Sequence, residues 1–190
     1  ILTTANISGQ EQDIVITAGK MGRVYAMNRE TGCILWVAVV GEHENDQLAA
    51  FPDEPIRVIP GALGGVETPM AYAEGVVFVP VVNIAAEATG STYQLESIGE
   101  GNGNLVAIEV STGKILWSVD LEAPTFGGAT VVNDLVFTGT FDSTIRAFDR
   151  ETGEEVFTFE TPSNIVGWPA VVGDTIIWPC GQGGMPSLIA

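Results

Sequence analysis

The 190-residue chain is 46% hydrophobic with a mean hydropathy of +0.29, which is enough apolar material for a packed core and excludes a disordered chain. Its 24 acidic and 7 basic residues give a net charge of −17, which argues against nucleic-acid and lipid partners because phosphate groups would be repelled. No apolar run reaches the roughly 18 residues that a membrane-spanning helix needs. A solvated acidic surface is the favoured interpretation of the charge, and a cationic partner is the alternative.

Strands with alternating apolar residues recur along the chain. The longer ones are DIVITAG from Asp13, GVVFVPVVN from Gly75, DLVFTGT from Asp134 and DTIIWPCG from Asp174. A shorter strand precedes three of them, beginning at Thr68, Gly127 and Gly167. Their β-branched and aromatic residues at period two predict strands, and no window has a helical period. The sequence therefore predicts an all-β protein.

An eleven-residue pattern, A-x-[N/E/D]-x-x-T-G-x-x-x-[W/F], occurs three times, at 26–36, 107–117 and 147–157. The small alanine suits a crowded sheet interior, and the amide or acidic side chain can accept hydrogen bonds from the following turn. Gly32, Gly113 and Gly153 supply the positive φ of that turn. The closing aromatic is a large apolar anchor that can wedge against the neighbouring repeat, and these anchors are Trp36, Trp117 and Phe157.

Four short strands per repeat, joined by tight turns, are typical of a β-propeller blade. Thr112 and Thr152 lie 40 residues apart, the length of one blade, whereas Thr31 and Thr112 lie 81 apart. We interpret the excess as two insertions, at 41–63 and 84–103, and expect them to be functional or disordered loops. The prediction is a single propeller domain over 1–190, with about four partial antiparallel blades from a ring of seven or eight.

The ends of the chain fall inside predicted blades. Ile1 is placed just before a second strand, and 188–190 stops where a third strand should begin. Partial blades cannot close the ring that protects their edges, so the chain is interpreted as a fragment. Its expected partners are the remaining blades, on the same protein or another chain.

The repeat A-x-D-x-x-T-G-x-x-x-W resembles that of pyrroloquinoline quinone (PQQ) enzymes and their non-catalytic propeller relatives. From Phe126 onward the chain looks like the C-terminal blades of quinoprotein alcohol dehydrogenases, including the Gly127-Gly128 pair that opens an inner strand. This resemblance implies a periplasmic or extracellular protein whose repeat aromatics dock on the adjacent blade. For the enzymes, it implies oxidation of an alcohol or sugar with PQQ and Ca²⁺.

The sequence departs from those enzymes in two ways. They have adjacent cysteines, whereas Cys33 and Cys180 are far apart. Both fall in predicted strands, which favours buried free thiols over a disulfide. No segment matches the catalytic Asp or the calcium ligands of the enzymes, so no catalytic residue is assigned. The favoured hypothesis is a propeller wall or binding scaffold with protein contacts through the inserted loops; the alternative is part of a PQQ- and calcium-dependent alcohol or sugar dehydrogenase.

Three residues are candidates for a cofactor site. Trp168 begins an inner strand, where side chains face the central channel, and its indole could stack on a flat cofactor. Packing between blades is the alternative role. Gly127 and Gly128 could allow a ligand to approach the backbone closely, although crowding of the inner strands explains them equally well.

The single histidine, His43, lies in the segment GEHENDQ with Glu42, Glu44 and Asp46. Four oxygen or nitrogen ligands within five residues could hold a divalent cation. Because no H-x-x-x-H spacing is present, we favour a solvated acidic loop and predict no metal site. The segment 102–104, Asn-Gly-Asn, is predicted to be a turn between strands.

Overall fold

The computed structural model describes residues 1–181, whose regular secondary structure is almost entirely antiparallel β-strand. The strands are β1 Leu2–Ile7, β2 Gln10–Gly19, β3 Arg23–Asn28, β4 Ile34–Val39, β5 Ile56–Val58, β6 Ala71–Ala73, β7 Val76–Asn83, β8 Ala86–Ala88, β9 Tyr93–Leu95, β10 Asn102–Glu109, β11 Ile115–Leu121, β12 Thr130–Val132, β13 Leu135–Thr140, β14 Thr144–Asp149, β15 Glu155–Glu160, β16 Ala170–Val172 and β17 Thr175–Ile177. A 3₁₀ helix at Ile98–Glu100 is the one helical segment in that range. None of the described segments forms a helix long and apolar enough to span a membrane.

Three of the sheets have four strands each and are called blades here. The first blade is β1-β2-β3-β4, the second is β6-β7-β10-β11 and the third is β12-β13-β14-β15, while β16 and β17 begin a fourth. The predicted opening of the chain is wrong, since β1 precedes β2 and pairs with it from Leu2↔Val15 to Ile7↔Gln10. The prediction missed β1 because only Ile7 of its six residues is buried and its sequence, LTTANI, has little apolar alternation. The last three residues, 188–190, lie outside the described residues.

The eleven-residue pattern has the same geometry in each blade. Its alanine lies opposite its aromatic residue in the pairs Ala26↔Trp36, Ala107↔Trp117 and Ala147↔Phe157. The strand register shifts directly after each alanine, so a β-bulge recurs at the same place. The turn that follows is closed by the glycine N–H, which donates to the carbonyl four residues earlier in all three copies.

The blades stack face to face, with one apolar cluster between each neighbouring pair. Between the first and second blades, Ile14, Ile16 and Val24 pack with residues such as Val79 and Val106. Between the second and third, Phe78 and Leu105 pack with residues such as Val136 and Phe148. The second blade is therefore buried on both faces, which explains the nearly continuous apolar run of β7.

The two insertions form a structure of their own that the sequence did not predict. Strand β5 comes from the first insertion, strands β8 and β9 come from the second, and the three form one sheet in the order β5-β8-β9. Arg57 of β5 makes ion pairs with Glu44 and Glu96, which ties the insertions together at their surface. Residues 102–104 open strand β10, so their prediction as a turn is wrong.

Both cysteines are free and exposed, which corrects their prediction as buried strand residues. Cys33 lies in the turn just before β4, and Cys180 follows β17. The flanking apolar residues made each segment look like a strand, but β4 begins only after Cys33 and β17 ends before Cys180.

Candidate functional site

The three predicted cofactor-binding residues lie together where the inner strands of the blades begin. The N–H of Ala129, which follows the glycine pair, donates to the carbonyl oxygen of Pro69 in the preceding blade over 2.9 Å. On the other side, a Cβ added at Gly128 would lie 2.9 Å from Cβ of Trp168, which opens the fourth blade. Three successive blades thus meet at Pro69, Gly128 and Trp168.

The glycine pair is crowded by protein on both sides. A Cβ at Gly127 would lie 2.3 Å from the backbone nitrogen of Gly139, and Gly127 N–H donates to the Gly139 carbonyl over 2.9 Å. Gly128 has a φ of +63°, which favours glycine, and Pro69 and Trp168 fill the space around it. Close packing of strands therefore accounts for both glycines. Trp168, with 54% of its surface exposed, is the one of the three residues that presents a face to a ligand.

The repeat tryptophans contact the next blade along the chain. The indole N–H of Trp36 donates to the Val110 carbonyl over 2.8 Å, and the indole N–H of Trp117 donates to the Arg150 carbonyl over 3.0 Å. Each acceptor belongs to the Thr-Gly turn of the following blade. Phe157, at the equivalent position of the third blade, has 48% of its surface exposed and no N–H to donate.

The turn glycines form the other side of this contact between a tryptophan and the next blade. A Cβ on Gly113 would lie 2.7 Å from Cδ2 of Trp36, and a Cβ on Gly153 would lie 2.9 Å from Cδ2 of Trp117. Gly32 has the same positive φ, yet a Cβ there would meet nothing within 4 Å. Two turns are therefore covered by an indole within residues 1–181, and the turn of the first blade is open.

His43 belongs to a compact ion-pair cluster and not to a solvated loop, which corrects that interpretation. Its Nδ1 lies 2.8 Å from Asp46 Oδ2, its Nε2 lies 3.2 Å from the Val40 carbonyl, and Arg23 Nη2 lies 3.2 Å from the same Asp46 oxygen. The Asp46 side chain is only 6% exposed. Burial raises the pKa of Asp46, but hydrogen bonds and charge from His43 and Arg23 outweigh it and hold that pKa below its ordinary value.

A chain of side-chain amides connects the two insertions to the second blade, and sequence reasoning missed it. Asn83, buried at the end of β7, donates to Asn102 Oδ1 over 2.7 Å and to Asn104 Oδ1 over 2.8 Å. Its own Oδ1 accepts the Glu42 N–H over 3.0 Å. The side chain of Asn104 then donates to Asp120 Oδ1 over 2.6 Å. The available signal was polar residues at alternate positions in an otherwise apolar pair of strands.

Neither the glycine pair nor the acidic segment fits a metal or a flat cofactor in the way the enzymes would require. Over residues 1–181, no three acidic, histidine or cysteine side chains cluster closely enough to hold a metal ion. Two observations do fit a planar organic ligand near the inner strands. Trp168 is exposed, and the buried Thr68 hydroxyl beside Pro69 has no hydrogen-bond partner in the described part of the chain.

The comparison with family models identifies the repeat. A PQQ-repeat model, described as outer membrane protein assembly factor BamB, matches residues 20–188. The chain belongs to this PQQ-repeat family. Its all-β blades are therefore those of a β-propeller, as the eleven-residue pattern predicted.

Individual relatives of this PQQ-repeat chain are larger proteins. It is 34% identical over 134 residues to a quinoprotein ethanol dehydrogenase of Pseudomonas putida, covering 61% of this chain and 22% of that protein. It is 26% identical over 211 residues to a lanthanide-dependent methanol dehydrogenase of Methylorubrum extorquens, covering 88% of this chain and 35% of that protein. The chain thus spans about a third or less of the length of these relatives.

A solved structure gives the same fold. The chain superimposes on quinohemoprotein alcohol dehydrogenase ADHIIG from Pseudomonas putida HK5 with a TM-score of 0.76 and 22% identity, covering 96% of this chain and 34% of that one. The blades of the present chain therefore have the fold of the matching third of that structure.

Proposed function

We propose that this chain forms part of the propeller wall of a PQQ-dependent alcohol dehydrogenase, and that Trp168 stacks on the cofactor. The observation that carries the proposal is the position of Trp168, whose exposed side chain lies where the inner strands of three blades meet. The sequence similarity to ethanol and methanol dehydrogenases supports the substrate class. Bound PQQ would supply the oxidising quinone, and this segment would supply a stacking face and the rigid wall behind it.

The wall role follows from packing. Gly127 packs on Gly139 of β13 in its own blade, and Gly128 packs on Pro69 and Trp168 of the two adjacent blades, so closely that a side chain would collide at either glycine. Such close backbone packing fixes the position of Trp168 because its Cβ lies directly on Gly128. A fixed indole loses little conformational entropy when it stacks on a planar ligand. Residues 1–181 contain no group of three or more acidic, histidine or cysteine side chains that could hold Ca²⁺ or another ion, so at least part of the ligand set would have to come from elsewhere.

A second candidate function is a cofactor-free scaffold in the periplasm or outside the cell. The sheet formed by the two insertions favours it, because β5, β8 and β9 build an ordered surface on which Tyr93 is exposed. The sequence predicts functional or disordered loops here, and an ordered surface with an exposed aromatic residue suits a protein partner. This role requires neither PQQ nor a ligand contact by Trp168.

The test is reconstitution of the full-length protein with PQQ and Ca²⁺, followed by quinone absorbance, tryptophan quenching and dye reduction with ethanol. We expect bound quinone, and we expect Trp168→Ala to weaken its binding by about tenfold, the effect of losing one stacking contact. Trp36→Phe is the matched control, since Trp36 lies between the first and second blades. Absence of quinone binding by the full-length protein would support the scaffold; binding unaffected by Trp168→Ala would leave the enzyme but remove the role of Trp168.

A further inference from the structure

The sheet formed by the two insertions has one covered edge and one open edge. At the β5 edge, Glu44 and Ile59 exchange backbone hydrogen bonds of 2.8 and 2.9 Å. The Asn45 side chain also donates to the Arg57 carbonyl there, over 2.8 Å. At the other edge, β9 pairs with β8 and with no other strand of the described chain. The first insertion thus covers one edge of its own sheet and leaves the other open.

The backbone of β9 directs two residues toward the open edge. At the end of the β8–β9 ladder, the Thr89 N–H donates to the Thr92 carbonyl over 2.9 Å, so this pair is hydrogen-bonded. Because such pairs alternate in an antiparallel ladder, Gln94 bonds to β8, whereas Tyr93 and Leu95 direct their N–H and C=O groups away from it. Within residues 1–181 these outward groups have no backbone partner, and an unpaired row of this kind is a template for a further strand.

The open edge is exposed and partly aromatic. Tyr93 is 45% exposed, and its ring centroid lies 6.3 Å from that of Phe51. In the ladder, Tyr93 and Leu95 lie opposite buried alanines of β8, so their side chains are on the packed face of the sheet. An apolar side chain on an added strand would cover the exposed part of Tyr93 on that face.

The surface around this edge is acidic. The two insertions carry eight acidic residues and one basic residue, Arg57, which already makes ion pairs with Glu44 and Glu96. Glu87 is exposed and lies opposite Gln94 in the ladder, and none of the ion pairs within residues 1–181 involves it. The face opposite to Tyr93 therefore favours basic side chains on an added strand, and the net charge of −17 disfavours a second copy of this chain.

We propose that β9 is the docking edge for an extended segment of a partner protein, in which basic and apolar residues alternate and which joins the sheet as a fourth strand. The N–H and C=O groups of Tyr93 and Leu95 bond to the added backbone, its apolar residues cover Tyr93, and its basic residues lie on the Glu87 face. Because β9 has three residues, a short peptide binds weakly, with a dissociation constant on the order of 1 mM at low salt. The proposal rests on the scaffold role of this sheet and does not depend on PQQ binding.

The test is hydrogen–deuterium exchange of the full-length protein at single-residue resolution, with and without the peptide acetyl-Lys-Val-Lys-Phe-Lys-Val-amide. We expect the Tyr93 and Leu95 amides to exchange about tenfold more slowly at about 90% occupancy, because only the unbound fraction is then open to water. The Gln94 amide, which already bonds to β8, should change little. The same peptide with glutamate in place of lysine should protect neither Tyr93 nor Leu95.

Two pairs of variants locate the contact. Leu95→Pro removes one outward N–H and no bond to β8, and we expect about tenfold weaker peptide binding, whereas the matched control Leu95→Val keeps the N–H and should bind as the wild type does. Glu87→Gln leaves the backbone unchanged and serves even if Leu95→Pro does not fold. It should weaken binding about threefold at low salt, and Glu30→Gln, at an exposed position of the first blade, should have no effect.

The outcomes separate this proposal from the two proposed functions. Equal binding of the acidic peptide, or wild-type affinity in a folded Leu95→Pro, would overturn it. Protection of Tyr93 and Leu95 that rises with protein concentration in the absence of peptide would also overturn it, because a second copy would then occupy the edge. Peptide binding without protection of these two amides would overturn pairing at β9 but leave the sheet as a protein-binding surface. Quinone binding by the reconstituted protein does not depend on any of these results.

Discussion

The interface between the first and second blades and that between the second and third share one contact and differ in another. In both, an indole N–H donates to the backbone of the next blade, from Trp36 to Val110 and from Trp117 to Arg150. At the position directly before the repeat alanine, however, the second blade has Val106, buried against the first blade, whereas the third blade has the ion-paired Arg146. The docking contact repeats with the motif, and the side chain at this position does not.

This difference separates a contact that recurs in successive blades from a position that each blade fills in its own way. The indole hydrogen bond recurs because it joins each tryptophan to the turn of the next blade. The position before the repeat alanine holds a valine that packs on the first blade in one copy and an arginine that pairs with carboxylates of its own blade in the next. Its side chain is therefore set by the local packing and charge of each blade and not by the repeat.

The largest expected effect is at the docked tryptophans. Trp117→Ala should lower the free energy of unfolding by about 3 kcal/mol, because the indole packs on Gly153 and donates to the Arg150 carbonyl. Phe157→Ala should cost less than about 1 kcal/mol, since Phe157 is half exposed in residues 1–181. Urea denaturation monitored by circular dichroism measures both.

Trp117→Phe divides the effect into its two parts. It keeps an aromatic ring over Gly153 but removes the N–H donor, so it should cost about 1 kcal/mol for the lost hydrogen bond, plus part of the packing. If Phe157→Ala is as damaging as Trp117→Ala, the two positions are not in different environments and the comparison fails.

The turn glycines give the next largest effect and a matched pair. Gly32→Ala and Gly113→Ala both place a side chain at positive φ, which should cost about 1 kcal/mol in each case. At Gly113 the new methyl group would also collide with Trp36, adding about 1 to 3 kcal/mol. Thermal unfolding of the two variants therefore measures the docking contact as a difference, with the shared backbone strain removed. Equal destabilisation would show that the indole moves aside without cost.

The His43 cluster lies at the end of the first blade and should make the stability of the chain sensitive to acid. The folded-state pKa of Asp46 is lowered. The stability that the Asp46 carboxylate contributes to the folded chain is therefore complete at neutral pH and is lost as the pH falls through that lowered pKa. Asp46→Asn should reduce stability by about 1 to 2 kcal/mol at pH 7 and flatten the loss of stability below about pH 4. Denaturation midpoints from pH 7 to pH 3 measure this, with Asp53→Asn as a surface control; parallel curves for the wild type and Asp46→Asn would contradict it.

The regular part of the fold could be predicted from the sequence because it is local and repeated. Strand alternation and the Thr-Gly turn follow from residues a few positions apart, and three copies of the pattern reinforced one another. Trp36, Trp117 and the turn glycines were all singled out in this way. Strand β1 was missed because an exposed strand carries little apolar alternation.

The insertions and the Asn83 network could not be predicted because they depend on contacts between distant segments. Strand β5 pairs with β8, and Glu42 accepts a hydrogen bond from Asn102, across separations for which the sequence has no periodic signal. The cysteines were misplaced for a related reason, since apolar neighbours predict a strand but not where it ends. The Asn83 network illustrates the limit: Asn102 and Asn104 look like turn residues until β7 is placed beside them.

The smallest expected effect is at Arg146, and it bears most directly on the difference between the Val106 and Arg146 positions. Arg146→Met keeps most of the stem but removes the guanidinium from Asp142, Glu155 and the Thr140 hydroxyl, so it should cost about 1 kcal/mol. The loss should shrink in high salt, because salt weakens the ion pairs of the wild type only. Arg57→Met is the control, since Arg57 is 45% exposed and its ion pairs lie on the insertion surface, where we expect a smaller loss. A cost at Arg146 that exceeds the cost at Arg57, measured by urea denaturation at low and high salt, would show that the less exposed ion pairs of Arg146 stabilise the third blade. Equal costs would show that Arg146 contributes no more than an ion pair on the exposed surface of the insertions.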